Sequence, residues 1–193
     1  MQKTCETSNS NKIYKIKHEH PHASKKLAKA LLPTLKNKTC SSLALVALCI
    51  GTDRSTGDSL GPLVGTLLKN QNKNSNLAIF GTLEDPVHAL NLEETLYHIN
   101  KNYSNGYIIA IDACLGQLKN IGQIQLGLGA LKPGAGVNKE LTPVGQMHIA
   151  GIVNVSGFME YFVLQNTRLN LVMNMAKVIA SSLNMASQQL QYT

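Results

Sequence analysis

Residues 43 to 62 read Leu-Ala-Leu-Val-Ala-Leu-Cys-Ile-Gly-Thr-Asp-Arg-Ser-Thr-Gly-Asp-Ser-Leu-Gly-Pro. The apolar run Leu43–Ile50 has no polar alternation and stops at Gly51. Such a strand is covered on both faces, which is the mark of a parallel sheet. The polar loop after it carries Asp53, Arg54, Asp58 and small hydroxyl residues, and Gly61 and Pro62 then open a helical segment. Open α/β sheets bind ligands just past the carboxyl ends of their strands. Loop 51–61 therefore stands where such a fold puts its chemistry.

A second stretch ends in the same way. Gly106-Tyr-Ile-Ile-Ala-Ile-Asp-Ala-Cys-Leu-Gly116 is a buried-type strand over 107–111 with Asp112 at its carboxyl end. If the two strands lie side by side and run the same way, Asp58 and Asp112 converge at one edge of the sheet.

Working outward, the pattern predicts a helix over 61–70, a strand over Leu77–Phe80, and a helix over 87–100 before the second buried strand. That β-α-β-α-β order argues for parallel pairing with right-handed crossovers. Beyond Asp112, residues 122–129 alternate as an exposed or edge strand would. A glycine- and proline-bearing loop follows over 131–145, and loops of that length are commonly functional. Residues 148–153 read as a further strand. A long apolar-faced helix is expected from 157 to about 185, with a break near Asn166–Thr167. On the amino-terminal side, Ala23–Leu35 has amphipathic spacing and meets Pro33 near its end.

The chain has 193 residues, 44% of them hydrophobic. That suits a single α/β domain, placed at 23–193, behind a flexible basic tail at 1–22. Net charge is +7, and eight of the eighteen basic residues precede residue 37. The tail thus carries the imbalance. Arg54 and Arg168 are the sole arginines, so the forked donors used for base and phosphate recognition are scarce and specific nucleic-acid binding is not expected. No apolar stretch is long enough to cross a bilayer and no signal-type core is present, so a cytosolic protein without membrane association is expected. The four cysteines (Cys5, Cys40, Cys49, Cys114) have neither zinc nor disulfide-framework spacing. Cys114 reads as a small packed thiol, with reactivity as the alternative.

Two carboxylates brought close cannot both ionise freely. One takes a raised pKa and serves as acid while the other activates water. The same pair could hold a divalent metal with His148 or His88 as nitrogen ligand, or Asp58 could simply cap the helix after it. Spacing does not choose among these. Asp53, Arg54, Glu84, His88 and Lys139 are candidate substrate-binding residues. Arg54 and Lys139 suit a carboxylate or oxyanion, and Glu84 and His88 would stand on the rim.

Three segments taken together carry a resemblance: 51–62, Ile109-Ala-Ile-Asp112-Ala, and Lys132-Pro-Gly-Ala-Gly-Val-Asn-Lys-Glu-Leu141. They resemble the YyaC-type sporulation proteins, which are similar to germination protease and more distantly to hydrogenase maturation proteases. The resemblance implies a three-layer αβα sandwich with a mostly parallel central sheet, of the hydrogenase-maturation-protease or phosphorylase/hydrolase-like type. It implies an aspartic-type endopeptidase of sporulation or germination, with Asp58 catalytic and Asp112 its partner. Its substrates would be protein or peptide, small acid-soluble spore proteins among them. Its place would be the forespore or spore core of a sporulating bacterium. No cofactor is required on this reading. In the maturation proteases the acids matching Asp58 and Asp112 help hold nickel with a histidine, for which Asp58, Asp112 and His148 would be the set here. A catalytically silent sporulation factor that binds a protein partner, and a metal-dependent maturation peptidase, are the alternatives. Homo-oligomerisation is open.

Overall fold

A computed structural model describes residues 13–39, 44–71, 77–133 and 142–191. The elements run β1 Tyr14–Lys17, α1 Ala23–Thr39, β2 Leu45–Cys49, α2 Leu60–Gln71, β3 Leu77–Phe80, α3 Leu92–Asn102, β4 Tyr107–Gly116, β5 Gln123–Leu128, β6 Met147–Val155, α4 Glu160–Gln165 and α5 Leu169–Gln191. Single 3-10 turns occupy Gly57–Ser59 and Leu118–Asn120.

The strands form one sheet in the order β1-β5-β6-β4-β2-β3. β2 pairs in parallel with β3 and β4, and β4 with β6, while β5 runs antiparallel to both β1 and β6. All five residues of β2 are buried, as an unbroken apolar strand at the centre of a two-sided sheet must be. Alternate residues divide between two cores. Leu45, Ala47 and Cys49, with Ile109 and Ile111, face the layer of α1, α2 and α5. Val46 and Leu48, with Ile108 and Ala110, face α3. The result is three layers, α/β/α, about a mostly parallel sheet. α5 carries a single charged residue, Lys177, and packs against both α1 and α2.

Several expectations are corrected. Residues 14–17, assigned to a flexible tail, form β1. Ile16 is buried in the core, and Tyr14–Lys17 pair with Leu126–Gln123. Edge strands tolerate such lysines, which discourage further pairing. β1 thereby takes the edge expected for residues 122–129, and β5 lies inside the sheet. α1 runs past Pro33 to Thr39. Pro33 is exposed, so water can satisfy the carbonyl one turn back that loses its partner. α3 begins at Leu92 rather than 87, because Val87 bridges Ile50 and the chain then turns. β4 continues to Gly116, so Asp112 lies within the strand rather than at its end. The long terminal helix is divided at Asn166–Arg168, where the break was expected.

Candidate functional site at the end of β2

The loop after β2 folds back on itself. Gly51 donates its N–H to the Val87 carbonyl at 2.8 Å, and Thr52 donates to the Asp58 carbonyl at 3.2 Å. Gly51 has φ 144°, and a β-carbon there would overlap that Asp58 carbonyl oxygen. Only glycine allows this closure. Ser59 seals the turn, donating to the Thr56 carbonyl from its hydroxyl at 2.7 Å and from its N–H at 3.3 Å. The Gly57–Ser59 turn packs against β4 and against α4. A β-carbon on Gly57 would stand 2.7 Å from Leu164 Cδ2.

Asp58 is half-buried in this turn, and burial pushes its carboxyl above the usual value. A carboxyl removed from water resists ionisation. Asp112 is buried on β4, opposite Ala150 of β6. β2 pairs with β4 only as far as Cys49 opposite Ile111, so Asp112 lies one residue beyond that pairing. Alternation along β4 turns Asp112 toward the α3 side, the side of Ile108 and Ala110. Its Oδ1 accepts the Ala113 N–H at 2.7 Å. Cys114, on the same face, has its thiol pushed up to about 12, by burial first and then by the Asp112 charge. That fits the packed-thiol reading, since a group so protonated is a poor nucleophile. The two acids thus stand on adjoining elements, Asp58 in a turn that packs on the strand carrying Asp112.

The other sequence candidates scatter. Asp53 and Arg54 are exposed on the same loop. Glu84 is exposed and bonded to Lys69 of α2 at 3.2 Å. His88 is half-buried beside the bridge to Ile50. Its Nδ1 accepts the Leu90 N–H at 3.3 Å, and its own N–H donates to Asn91 Oδ1 at 2.8 Å. These bonds give His88 a structural task in the turn before α3. Lys139 lies outside the described residues.

His148 stands apart from the acids. β6 lies between β5 and β4. The imidazole leans onto β5, with Cε1 and Nε2 2.6 Å from where a Gly127 β-carbon would be. Its Nδ1 is 3.0 Å from the Gly129 carbonyl. The ring therefore points away from the strand that carries Asp112. Among the described residues no group of three His, Cys, Asp or Glu side chains is gathered so as to hold a metal. The set Asp58, Asp112 and His148 does not fit a nickel-type site.

One polar group near Asp58 escaped the sequence reading. The Ser55 hydroxyl is buried and has no hydrogen-bond partner among the described residues. A buried donor left unpaired costs about 1–3 kcal/mol, and a bound water or substrate atom would supply what is missing. Nothing in the sequence separates Ser55 from its neighbours Thr52 and Thr56. Phe158, Tyr161 and Phe162, within the apolar-faced helix expected over 157–185, are exposed.

A family model described as "Protein of unknown function (DUF1256)" matches residues 15–182. The chain belongs to this family. The DUF1256 chain is 53% identical over 173 residues to the uncharacterized protein YyaC of Bacillus subtilis (strain 168), covering 90% of this chain and 83% of that one. Among solved structures it is similar to the NiFe hydrogenase maturation protease HycI from Thermococcus kodakarensis KOD1. The TM-score is 0.54 at 17% identity, over 80% of this chain and 99% of that chain. At that identity the likeness is one of fold. It agrees with the layered, mostly parallel architecture of this DUF1256 protein. Among the described residues no helix is long and apolar enough to cross a membrane.

Proposed function

We propose that this DUF1256 protein is an aspartic-type endopeptidase of sporulation or germination, acting in the forespore or spore core on protein substrates such as small acid-soluble spore proteins. The observation that carries the reading is the unequal setting of two acids on adjoining elements. Asp58 is half-buried in a turn, where burial raises its carboxyl, and that turn packs on β4, where Asp112 is buried. Pairs of carboxyls whose surroundings push their pKa values apart divide into acid and base.

On this reading Asp112 takes a proton from a water as the water oxygen adds to the scissile carbonyl carbon. Asp58 supplies a proton to the departing amine, and the C–N bond breaks. The new carboxyl end then carries the water's hydroxyl and the amine end the proton from Asp58, and the proton held on Asp112 returns to Asp58, so the pair ends as it began. Asp53 and Arg54, exposed on the same loop, would meet the flanking peptide. The likeness in fold to a maturation protease and the sequence resemblance to germination protease support the reaction class. The set of donors does not support routing it through a metal.

The test is cleavage of acid-soluble spore proteins by purified protein, followed by mass spectrometry of the products. The parent should cut at defined bonds, and Asp58→Asn should lose about two to four orders of magnitude in rate. Equal cleavage by parent and variant would refute the assignment.

A further inference from the structure

Five large apolar side chains stand in solvent within twelve positions of one another. Phe158 is 97% exposed, Met159 72%, Tyr161 61%, Phe162 57% and Leu169 58%. They belong to α4, to the turn before it and to the first residue of α5. α4 is held in place from beneath, where Leu164 is buried on Gly57. Tyr161 and Phe162 therefore face outward as a consequence of a fixed helix. Met159, immediately before α4, has φ 57°, a left-handed conformation that a non-glycine residue adopts only where its surroundings impose it. Clustered exposed apolar side chains mark an interaction site, whereas scattered ones need no explanation.

We infer that this patch is the contact between two copies of the chain, packed through α4 about a two-fold axis. Its charges are self-complementary. Glu160 opens α4 and Arg168 follows it, and neither forms an ion pair among the described residues. They bracket α4, Glu160 as its first residue and Arg168 in the break before α5. Antiparallel packing of two such helices brings Glu160 of each copy to Arg168 of the other, with Tyr161 and Phe162 between. An isologous contact requires this pattern, in which one patch meets itself. The area is also adequate. Aromatic side chains bury about 150–250 Å² each. With Met159 and Leu169 added, the exposed parts amount to roughly 600 Å² a side, or about 1,200 Å² over both copies, the lower bound of specific interfaces. The contact does not depend on the peptidase reading.

Sedimentation velocity of the full chain from low to high concentration tests this. The parent should show a monomer–dimer equilibrium, with dimer populated at about 0.1 mM. Phe158→Ser/Phe162→Ser should be monomeric with an unchanged circular dichroism spectrum. Glu160→Arg alone should weaken association about tenfold or more, because it sets like charges against each other. Glu160→Arg/Arg168→Glu should restore it. A parent that stays monomeric at that concentration overturns the proposal, as does a dimer indifferent to both the serine and charge variants. A monomer whose serine variant instead loses binding of a protein substrate would give the patch to substrate and equally overturn it.

Discussion

Leu164 of α4 lies directly on Gly57, with its Cδ2 2.7 Å from where a β-carbon at position 57 would stand and its own Cα 3.0 Å away. The residue next to this contact is Asp58. A helix from the far end of the chain thus fixes the turn that aims the candidate acid. Adding one methyl forces α4 or the turn to move, and overpacking of this kind costs about 1–3 kcal/mol. Gly57→Ala should lower the urea midpoint by that amount with an unchanged m value, and should reduce peptidase rate by more than its stability loss explains.

Asp58 should reveal itself in the pH dependence of stability. Its folded pKa is raised by burial, so between the ordinary aspartate value of about 3.9 and the raised value the folded state holds more protons than the unfolded state. This group's contribution therefore grows as pH falls through the folded pKa and is lost as pH rises above it. At neutral pH the ionised carboxylate is a burden on the fold. Asp58→Asn should be more stable than the parent at pH 7, and the advantage should vanish below the unfolded pKa. A variant that gains stability as it loses activity shows that the acid is kept for function. Thermal melts of both proteins from pH 3 to 8 measure this.

Cys114 reports on Asp112. With its thiol pushed up to about 12, alkylation in the native state at pH 8 should be about a thousandfold slower than for a free thiol. Part of that protection comes from the Asp112 charge, so Asp112→Asn should speed labelling of Cys114 while leaving buried Cys49 unreactive. Site-resolved mass spectrometry after a timed iodoacetamide pulse separates these cysteines from the others.

His148 should be dispensable for catalysis. Its ring leans onto Gly127 and bonds toward Gly129, away from the strand of Asp112. His148→Ala should keep peptidase activity within a few-fold of the parent, and Gly127→Ala should destabilise by about 1–3 kcal/mol because the imidazole has nowhere to go. Activity that survives a chelator would accord with the absence of a gathered ligand set among the described residues.

The central strands were legible because their composition leaves no alternative. Leu45–Ile50 and Tyr107–Ile111 are apolar on every residue, and only a sheet covered on both faces buries them so. β3 was bounded correctly for the same reason, lying between a polar loop and a glycine. What stayed hidden depends on partners distant in sequence. β1 is a four-residue strand with two lysines, and it becomes a strand only through pairing with β5. β4 extends past Asp112 because β6 remains beside it after β2 has ended, a fact of register that no local pattern carries. His148 and Ser55 are ordinary in sequence, and the roles of both are set by what lies across the sheet or loop. The exposure of the α4 patch is not legible in sequence, because an apolar spacing of 3.6 identifies a face without saying whether anything in the same chain covers it.

The decisive measurement is a double-variant cycle on cleavage of a defined spore protein, with Asp58→Asn, Asp112→Asn and the two combined. Residues that act as one unit are non-additive. Each single change should abolish nearly all turnover, and the double variant should be no slower than the worse single one. If either variant cuts at the parent's rate, or if the two losses simply multiply, the acids do not work as a pair and the peptidase assignment fails.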